Sequence, residues 1–401
     1  MLPDGWIYTT VADACETVSV GIVVNPSSYY VDDPSMGVRA FRSGNVRENR
    51  VNDANWVFIS DEGHLKNKKS ILRTGDVIVV RTGFAGTACV VPPEYEGANC
   101  IDILFARPKR KHLLPEYLSQ LTNSELGRKQ VFSGQSGLAQ KHLNVASYAK
   151  MGFGLPTVIE QARIAQVLST WDKAIATTER LLERSRRQKR ALMRNLLSND
   201  GAQNGWETHQ LGSLFRERIE TQRDDLPLLS ITREEGVIPR AGVGRKDTSN
   251  EDKSKYLRIC PGDIGYNTMR MWQGVSALSS LEGIVSPAYT ILIPNEKIDA
   301  RFAAHLFKLE RMVFMFYRHS QGLVSDTWSL KFEHFKKIRV SIPDRQQQER
   351  IVHVLAAADE AIAGLYAQAE KLRAEKGALM QQLLTGKRRV RAPKPAEAEP
   401  A

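Results

Sequence analysis

The sequence predicts an α+β fold: two similar mixed α/β domains separated by two long antiparallel coiled-coil helices, related by a pseudo-two-fold internal repeat. A 42-residue block occurs twice, at 156–197 and 343–384, and eighteen of its positions are identical. Both copies repeat apolar residues at alternating steps of three and four, and each follows a longer segment of mixed α and β character. The chain is therefore expected to have the same plan built twice.

The first segment, residues 1–155, is predicted to be a globular domain. Its run Val-Ile-Val-Val at 77–80 is typical of a buried strand, and residues 115–126 have a helical pattern. Loops rich in Gly, Ser, Asn, Arg and Lys connect these elements, and such side chains supply the donors that contact phosphates and base edges. Plain solvated surface is the alternative interpretation of those loops.

The repeated block predicts a spacer helix at 156–200 and a second at 343–386. A 3.5-residue apolar period held over four heptads is typical of a coiled-coil seam, and from Ile164 to Leu196 the helix would rise about 48 Å. Matching seams in one chain favour antiparallel packing of the two helices on each other, rather than separate packing on two domains. Lys189 and Lys376 occupy the same seam position, where we expect a splayed or partner-facing side chain because a buried Lys is costly.

The second segment, residues 201–342, is predicted to repeat the first. Gly5-Trp6 recurs as Gly205-Trp206, and Gly75-Asp76 recurs as Gly262-Asp263. Residues 288–293 are β-rich and 300–317 are helical in pattern, in the same order as in the first segment. The end of the chain, 387–401, is rich in Pro, Ala and Glu and is expected to be disordered.

Composition narrows the class of protein. The net charge of +11 favours a polyanionic partner, although weakly. The four cysteines lie far apart and form no CxxC pair, which argues against a zinc site or a disulfide framework. Neither a signal peptide nor a long apolar run is evident, so we expect a cytoplasmic protein that does not enter a membrane.

Motifs for catalysis are missing from the sequence. The string Val-Pro-Pro-Glu-Tyr at 91–95 lacks the polar first residue of an amino-methyltransferase loop and is interpreted as a turn. The sequence contains no G-x-x-x-x-G-K-[ST] phosphate loop, and its eight histidines form no HExxH or HxH pair. These absences together favour a protein without an active site of its own.

The whole chain resembles the specificity (S) subunit of type I restriction–modification systems. The residues that carry the resemblance are the Pro-led helix entries at 155–165 and 342–351, the Ala-Leu-Met…Leu-Leu helix ends, the Gly-Trp and Gly-Asp elements, and the stretches 267–274 and 283–289. The resemblance implies two target-recognition domains, each reading half of a split sequence in double-stranded DNA, with the paired helices fixing the gap. It further implies two methyltransferase (modification) subunits docked on the helices and restriction/translocase subunits joining them.

The same resemblance implies that this chain has no catalytic residues, metal or cofactor, and that S-adenosylmethionine, ATP and Mg²⁺ belong to the partner subunits. Two other functions are kept as alternatives. One is a stand-alone DNA-modifying enzyme with an unrecognised active site, and the other is a coiled-coil adaptor that binds only proteins.

Candidate DNA-binding residues are chosen by their position in the polar loops. In the first domain they are Arg81, Thr82, Ser133, Gln135, Gln140 and Lys141; in the second they are Asn267, Arg270, Trp272, Gln273, Ser320 and Gln321. Arg81 and Arg270 each follow a Gly-Asp-led strand and are expected to present a guanidinium group to guanine. Candidate partner-binding residues on the spacer helices are Arg184, Arg187, Arg190 and Lys376, with a solvated helix face as the alternative.

Overall fold

The computed structural model describes residues 2–132, 142–198, 205–232, 235–242, 252–323 and 327–390. Within those ranges, no helix has a stretch apolar and long enough to cross a membrane. The chain divides into two compact units, one formed by residues 1–180 with 366–401 and the other by residues 181–365. Each unit contains one globular segment together with part of each long helix.

The strands and helices of the first globular segment follow in chain order. The strands are β1 (Ile7–Thr10), β2 (Cys15–Val20), β3 (Tyr30–Val31), β4 (Val38–Phe41), β5 (Val46–Arg47), β6 (Arg50–Val51), β7 (Val57–Ile59), β8 (Val77–Val80), β9 (Ala88–Val90), β10 (Asn99–Cys100), β11 (Ile103–Pro108) and β12 (Gly152–Leu155). The helices are α1 (Val11–Ala14), α2 (Asp61–Lys66), α3 (Pro115–Asn123), α4 (Glu125–Val131) and α5 (Val145–Ala149).

The second half of the chain contributes the remaining elements. The first spacer helix is α6 (Val158–Leu197). The strands that follow are β13 (Glu207–Gln210), β14 (Phe215–Arg218), β15 (Leu229–Ile231), β16 (Val237–Pro239), β17 (Leu257–Ile259), β18 (Ile264–Asn267), β19 (Ser276–Leu278), β20 (Gly283–Val285), β21 (Tyr289–Pro294) and β22 (Arg339–Ile342). The helices are α7 (Ala300–Leu306), α8 (Glu310–His319), α9 (Phe332–Phe335) and α10 (Arg345–Leu384).

Both units contain the same central sheet. In the first it is antiparallel with strand order β2-β11-β8-β9, and in the second the order is β14-β21-β18-β19. A two-stranded ladder at the helix entry is also repeated, as β1 with β12 and as β13 with β22. The first unit adds a second sheet, β10-β4-β7-β3; at the corresponding point, the described part of the second unit forms the two-stranded pairs β15-β16 and β17-β20. The predicted fold and internal repeat are therefore confirmed.

Two predicted helices are interrupted. The pattern over 115–126 is divided into α3 and α4 because Ser124 adopts an extended conformation and its hydroxyl caps α4 at the Gly127 amide. The pattern over 300–317 is divided into α7 and α8, with Leu309 extended before α8. The break between α7 and α8 contains the buried residues Phe307 and Leu309. The apolar pattern of the sequence therefore continues through the break and does not reveal it.

A buried glutamine fastens the start of each long helix to its domain. The Gln161 side chain accepts from the Leu114 amide at 2.8 Å and donates to the His112 carbonyl at 2.7 Å. Gln348 repeats this with the Asp299 amide at 2.8 Å and the Lys297 carbonyl at 2.9 Å. Both glutamines are fully buried, so the identity of this position in the two copies has a structural cause.

Both long helices contribute to the core of each unit. In the first unit, Ile164 and Leu168 of α6 share a cluster with Met380 and Leu383 of α10. In the second unit, the α6 residue Leu197 shares a cluster with Ile351, Val352 and Leu355 of α10. In both clusters, residues near the start of one helix lie against residues near the end of the other, as the antiparallel prediction requires.

The seam lysines are paired across the helices, which corrects the prediction that they are splayed or partner-facing. In the first unit, Lys376 Nζ lies 2.6 Å from Asp172 Oδ1, and the lysine side chain is 6% exposed. In the second unit, Lys189 pairs with Asp359. The aspartate is identical in the two copies, so the same ion pair is formed twice and satisfies a charge that the sequence alone left without a partner.

The beginning of the C-terminal segment is folded, although the sequence predicted disorder from Lys387. The Arg389 guanidinium donates to both carboxylate oxygens of Glu160, at 2.6 and 2.8 Å, and to the Asp4 carbonyl. Val390 packs against the first core. Composition did not reveal this contact because its acceptors lie more than 200 residues earlier in the chain.

Candidate nucleic-acid interface

The repeated central sheets carry a connecting loop at the same place in each unit. In the first unit it joins β8 to β9 (residues 81–87), and in the second it joins β18 to β19 (residues 268–275). The opposite end of each sheet is fixed by a buried aspartate, Asp76 or Asp263, which accepts two hydrogen bonds from one arginine, Arg107 or Arg218. The repeated Gly-Asp sequence is therefore a structural turn, and the loops project from rigid strands.

The loop of the second unit is held by its own side chains. Asn267 Oδ1 accepts from the Met269 amide at 3.0 Å, and the Trp272 indole donates to the Met269 carbonyl at 3.0 Å. Gly274 is left-handed, with φ of 77°, and closes the turn. Arg270 is exposed on this frame, and no ion pair involves it among the residues described.

A second segment of the chain meets this loop. The amide of Leu330 donates to the Thr268 carbonyl at 2.9 Å, and Gln321 bridges Ser329 in an antiparallel pair. The structure thus brings together the two parts of the second domain from which candidates were chosen. Asn267, Arg270, Trp272 and Gln273 lie in the loop, while Ser320 and Gln321 follow α8.

Aromatic residues join the two segments, and the sequence did not identify all of them. Trp272 packs edge-on against Trp328, with ring centroids 5.2 Å apart, and Trp328 packs against Tyr317 at 4.9 Å. Trp272 was a candidate, whereas Trp328 and Tyr317 were not. The spacing of these residues along the chain shows no pattern, so only folding reveals that they form one partly exposed cluster.

The loop of the first unit differs in its exposed chemistry. The Arg81 guanidinium is ion-paired with Asp102 at 2.6 Å, so it is less available to guanine than the sequence suggested. Thr82 is half-buried, and the tip of the loop carries Phe84, which is 86% exposed and was not a candidate. The remaining candidates of this domain, Ser133, Gln135, Gln140 and Lys141, lie outside the described residues.

The spacer-helix candidates fall into two groups. Arg184 is exposed, and Arg187 and Arg190 are exposed but share Glu183, at 3.0 and 3.7 Å. The hydrogen bond from Arg187 holds the pKa of the Glu183 carboxyl below its ordinary value. Lys376 is buried in its ion pair, so the prediction that it binds a partner is corrected.

These surfaces are suited to recognition by hydrogen bonding and contact. Arg, Asn, Gln and Ser can donate to base edges and phosphates, and partly exposed aromatic rings can contact bases. Among the residues described, no group of three His, Cys, Asp or Glu side chains is placed to hold a metal ion. A duplicated domain with such a loop in each copy is the arrangement expected of a protein that recognises a nucleic acid at two places.

Comparison with known proteins connects the chain to one family of DNA specificity domains. Residues 203–371 match the family described as the type I restriction modification DNA specificity domain. The chain is also 21% identical to the putative type I restriction enzyme MjaX specificity subunit of Methanocaldococcus jannaschii, over 97% of this chain and 95% of that protein. The MjaVIII specificity subunit of the same organism is 21% identical, over 82% of each chain.

Two solved structures share the fold. A chain from a type I restriction–modification system, studied for its complex assembly and conformational transition, matches with a TM-score of 0.59 and 15% identity, over 96% of this chain and 98% of that one. The S subunit of the M. genitalium type I system matches with a TM-score of 0.55 and 13% identity, over the same shares. Residues 203–371 carry the domain that the family model describes, and the likeness of the chain to specificity subunits confirms the resemblance found in its sequence.

Proposed function

We propose that this chain is the sequence-specific DNA-binding subunit of a type I restriction–modification complex. It recognises a bipartite target with a fixed gap and directs partner methyltransferase and restriction subunits to that target. The observation that carries the proposal is the duplicated sheet with an exposed recognition loop at the same place in each copy. Two loops of different sequence, one per copy, are what two different half-sites need.

The loop chemistry supports reading of base edges. Arg270 is exposed, carries no ion pair among the described residues and stands on a loop braced by Asn267 and Trp272. An arginine in such a position can donate two hydrogen bonds to guanine O6 and N7. The net charge of +11 adds a sequence-independent attraction to the phosphates.

The chemistry of modification and cleavage is assigned to the partners. In this proposal the chain supplies no catalytic residue, and S-adenosylmethionine, ATP and Mg²⁺ act only in the methyltransferase and restriction subunits. Two methyltransferase subunits would dock on the repeated helices, with Arg184, Arg187 and Arg190 as candidate contacts for one of them. The complex would work in the cytoplasm, where its DNA target lies.

The test is to express the chain with the methyltransferase subunit of its own system and to map modified bases across the host genome. A split motif with a constant gap is expected. Arg270→Ala should relax one position in one half of that motif and leave the other half unchanged. A continuous motif would contradict the proposal. An unchanged motif in the Arg270→Ala variant would contradict the assignment of Arg270.

Two further measurements separate the alternatives. Methylation or cleavage of DNA by the purified chain alone, given S-adenosylmethionine and Mg²⁺, would indicate a stand-alone enzyme. Duplex binding that weakens with added salt is expected of a DNA-binding subunit, because neutralised phosphates release counterions. A protein-only adaptor would show no such binding.

A further inference from the structure

The tip of the β8–β9 loop presents a large apolar side chain to solvent. Phe84 is 86% exposed, the highest value among the aromatic residues that the structure describes. Burial of a phenylalanine is favourable by about 1.5–3 kcal/mol, so the folded chain gains little from this side chain where it stands. The ring is therefore available for contact with whatever the loop meets.

The loop around Phe84 is closed by its own backbone hydrogen bonds. The Gly86 amide donates to the Val80 carbonyl at 2.9 Å, and the Thr87 amide donates to the Phe84 carbonyl at 3.2 Å. Gly83 and Gly86 adopt φ of 80° and 84°, a left-handed conformation that favours glycine. Strand β8 below is fully buried, so the ring is held out from a fixed support.

Arg81, the residue expected to read guanine here, is engaged elsewhere. Its guanidinium pairs with Asp102 at 2.6 Å, and its carbonyl accepts from the Leu143 amide at 2.9 Å. The arginine therefore supports the base of the loop, and the exposed group nearest the tip is apolar. The equivalent loop of the second unit also exposes an apolar side chain, Met269, at 38%.

We propose that Phe84 is a specificity-determining residue that packs against the C5 methyl group of a thymine in the half-site read by the first domain. This inference rests on the proposed function and adds the chemical class of the contact. In the major groove, the thymine methyl is the apolar group that distinguishes the base pairs, and phenylalanine is among the side chains that contact it. The first domain then reads part of its half-site by apolar contact, whereas the second reads with Arg270.

The experiment uses the complex with the methyltransferase subunit and duplexes that carry its mapped target. Each thymine in turn is replaced by deoxyuridine, which removes only the methyl group, and binding is measured by fluorescence anisotropy. At one thymine, or two adjacent ones, the wild-type complex should lose about fourfold in affinity, the effect of one buried methyl group. Phe84→Ala should bind the unmodified target about tenfold more weakly and lose this sensitivity at that thymine.

The matched control is Tyr8→Ala. Tyr8 is 69% exposed on β1 in the same unit but does not lie in the loop, so this variant should keep the wild-type sensitivity to deoxyuridine. Phe84→Leu, which keeps an apolar side chain, should retain part of it. Methylation of the mapped target should fall in the same order as the sensitivity to deoxyuridine: most for Phe84→Ala, less for Phe84→Leu and least for Tyr8→Ala.

Three results would overturn the inference. Phe84→Ala could keep the wild-type deoxyuridine profile, Tyr8→Ala could lose it equally, or no thymine in either half-site could show the effect. A wild-type complex that shows no sequence preference at all is a different outcome, because it would overturn the proposed function and this inference with it.

Discussion

The two seam lysines make a matched test of the energetics of the helix pair. Lys376 and Lys189 occupy the same position in the two copies of the repeat. Each pairs with the aspartate of the other copy, yet the exposure of the two ion pairs differs. The Lys376 and Asp172 side chains are 6% and 22% exposed, whereas those of Lys189 and Asp359 are 20% and 46% exposed. Replacing each lysine by methionine keeps most of its unbranched length and removes its charge, so the difference between the two variants reports the effect of burial.

The expected losses follow from the partners that remain. In Lys376→Met, the Asp172 carboxylate stays largely buried but keeps hydrogen bonds from Gln120 at 2.6 Å and Asn49 at 3.2 Å. We therefore expect a loss of about 2–3 kcal/mol in unfolding free energy, below the 3–5 kcal/mol typical of a broken buried pair. In Lys189→Met, Asp359 is nearly half-exposed, and the loss should be about 0.5–1 kcal/mol.

Urea denaturation, with hydrogen exchange to locate the change, would measure both effects. With a slope of about 2–3 kcal/mol/M, the midpoint should fall by about 1 M for Lys376→Met and by roughly 0.3 M for Lys189→Met. Exchange should rise in the first unit for the former variant and in the second unit for the latter. Adding Asp172→Asn to Lys376→Met should recover part of the loss, because the carboxylate charge then disappears as well. Equal losses in the two single variants, or no recovery in the double variant, would refute the reasoning.

Three further outcomes are expected. Arg270→Ala should cost about 1–3 kcal/mol at one base position, measured by anisotropy with single-base target variants, whereas Arg81→Ala should cost less because its guanidinium already pairs with Asp102. Gln161→Leu removes the side-chain partners of the part-buried backbone groups of His112 and Leu114 and should lower the unfolding free energy by about 1–3 kcal/mol. Urea denaturation and faster exchange of the Leu114 amide would check this, and an unchanged midpoint would disprove the clamp. Burial, helped by the Lys189 charge, lowers the pKa of His305 to about 4. The folded protein therefore binds fewer protons than the unfolded chain between pH 6.5 and 4, and stability should fall across this window as the pH drops, by at most about 3 kcal/mol. His305→Gln should reduce this dependence of unfolding free energy on pH. If the curves of stability against pH are parallel for the wild type and the variant, His305 is not its source.

The long helices could be predicted because their signal is local and repeated. An apolar period of 3.5 residues is visible in each copy, and α6 (Val158–Leu197) and α10 (Arg345–Leu384) lie within the predicted segments. What the period did not show is the partner of a polar seam residue. Asp172 lies 204 positions from Lys376 in the chain and contacts it only because the two helices pack antiparallel. The sequence alone therefore did not show that the buried lysine is ion-paired.

The recognition loops were only partly predictable, for a different reason. Sequence favoured polar residues as candidates, and it correctly placed Arg270 on an exposed loop. It did not distinguish Arg270 from Arg81, because the ion pair with Asp102 depends on the loop between β10 and β11. Exposed aromatic side chains such as Phe84 were missed since apolar residues are more often in the core than on the surface.

The identities between the two copies of the helical block do not all have the same cause. Gln161 with Gln348 and Asp172 with Asp359 are explained inside the chain, because each holds a helix to its domain or to the other helix. Identity at these positions would persist whether or not any other protein bound the helices. Arg163 and Arg350 form another identical pair: neither has an ion pair within the described ranges, and they are half-buried and exposed respectively. A partner that met both copies in the same way would maintain such a pair, so in the proposed function this repeated arginine joins Arg184, Arg187 and Arg190 as a candidate contact for a methyltransferase subunit.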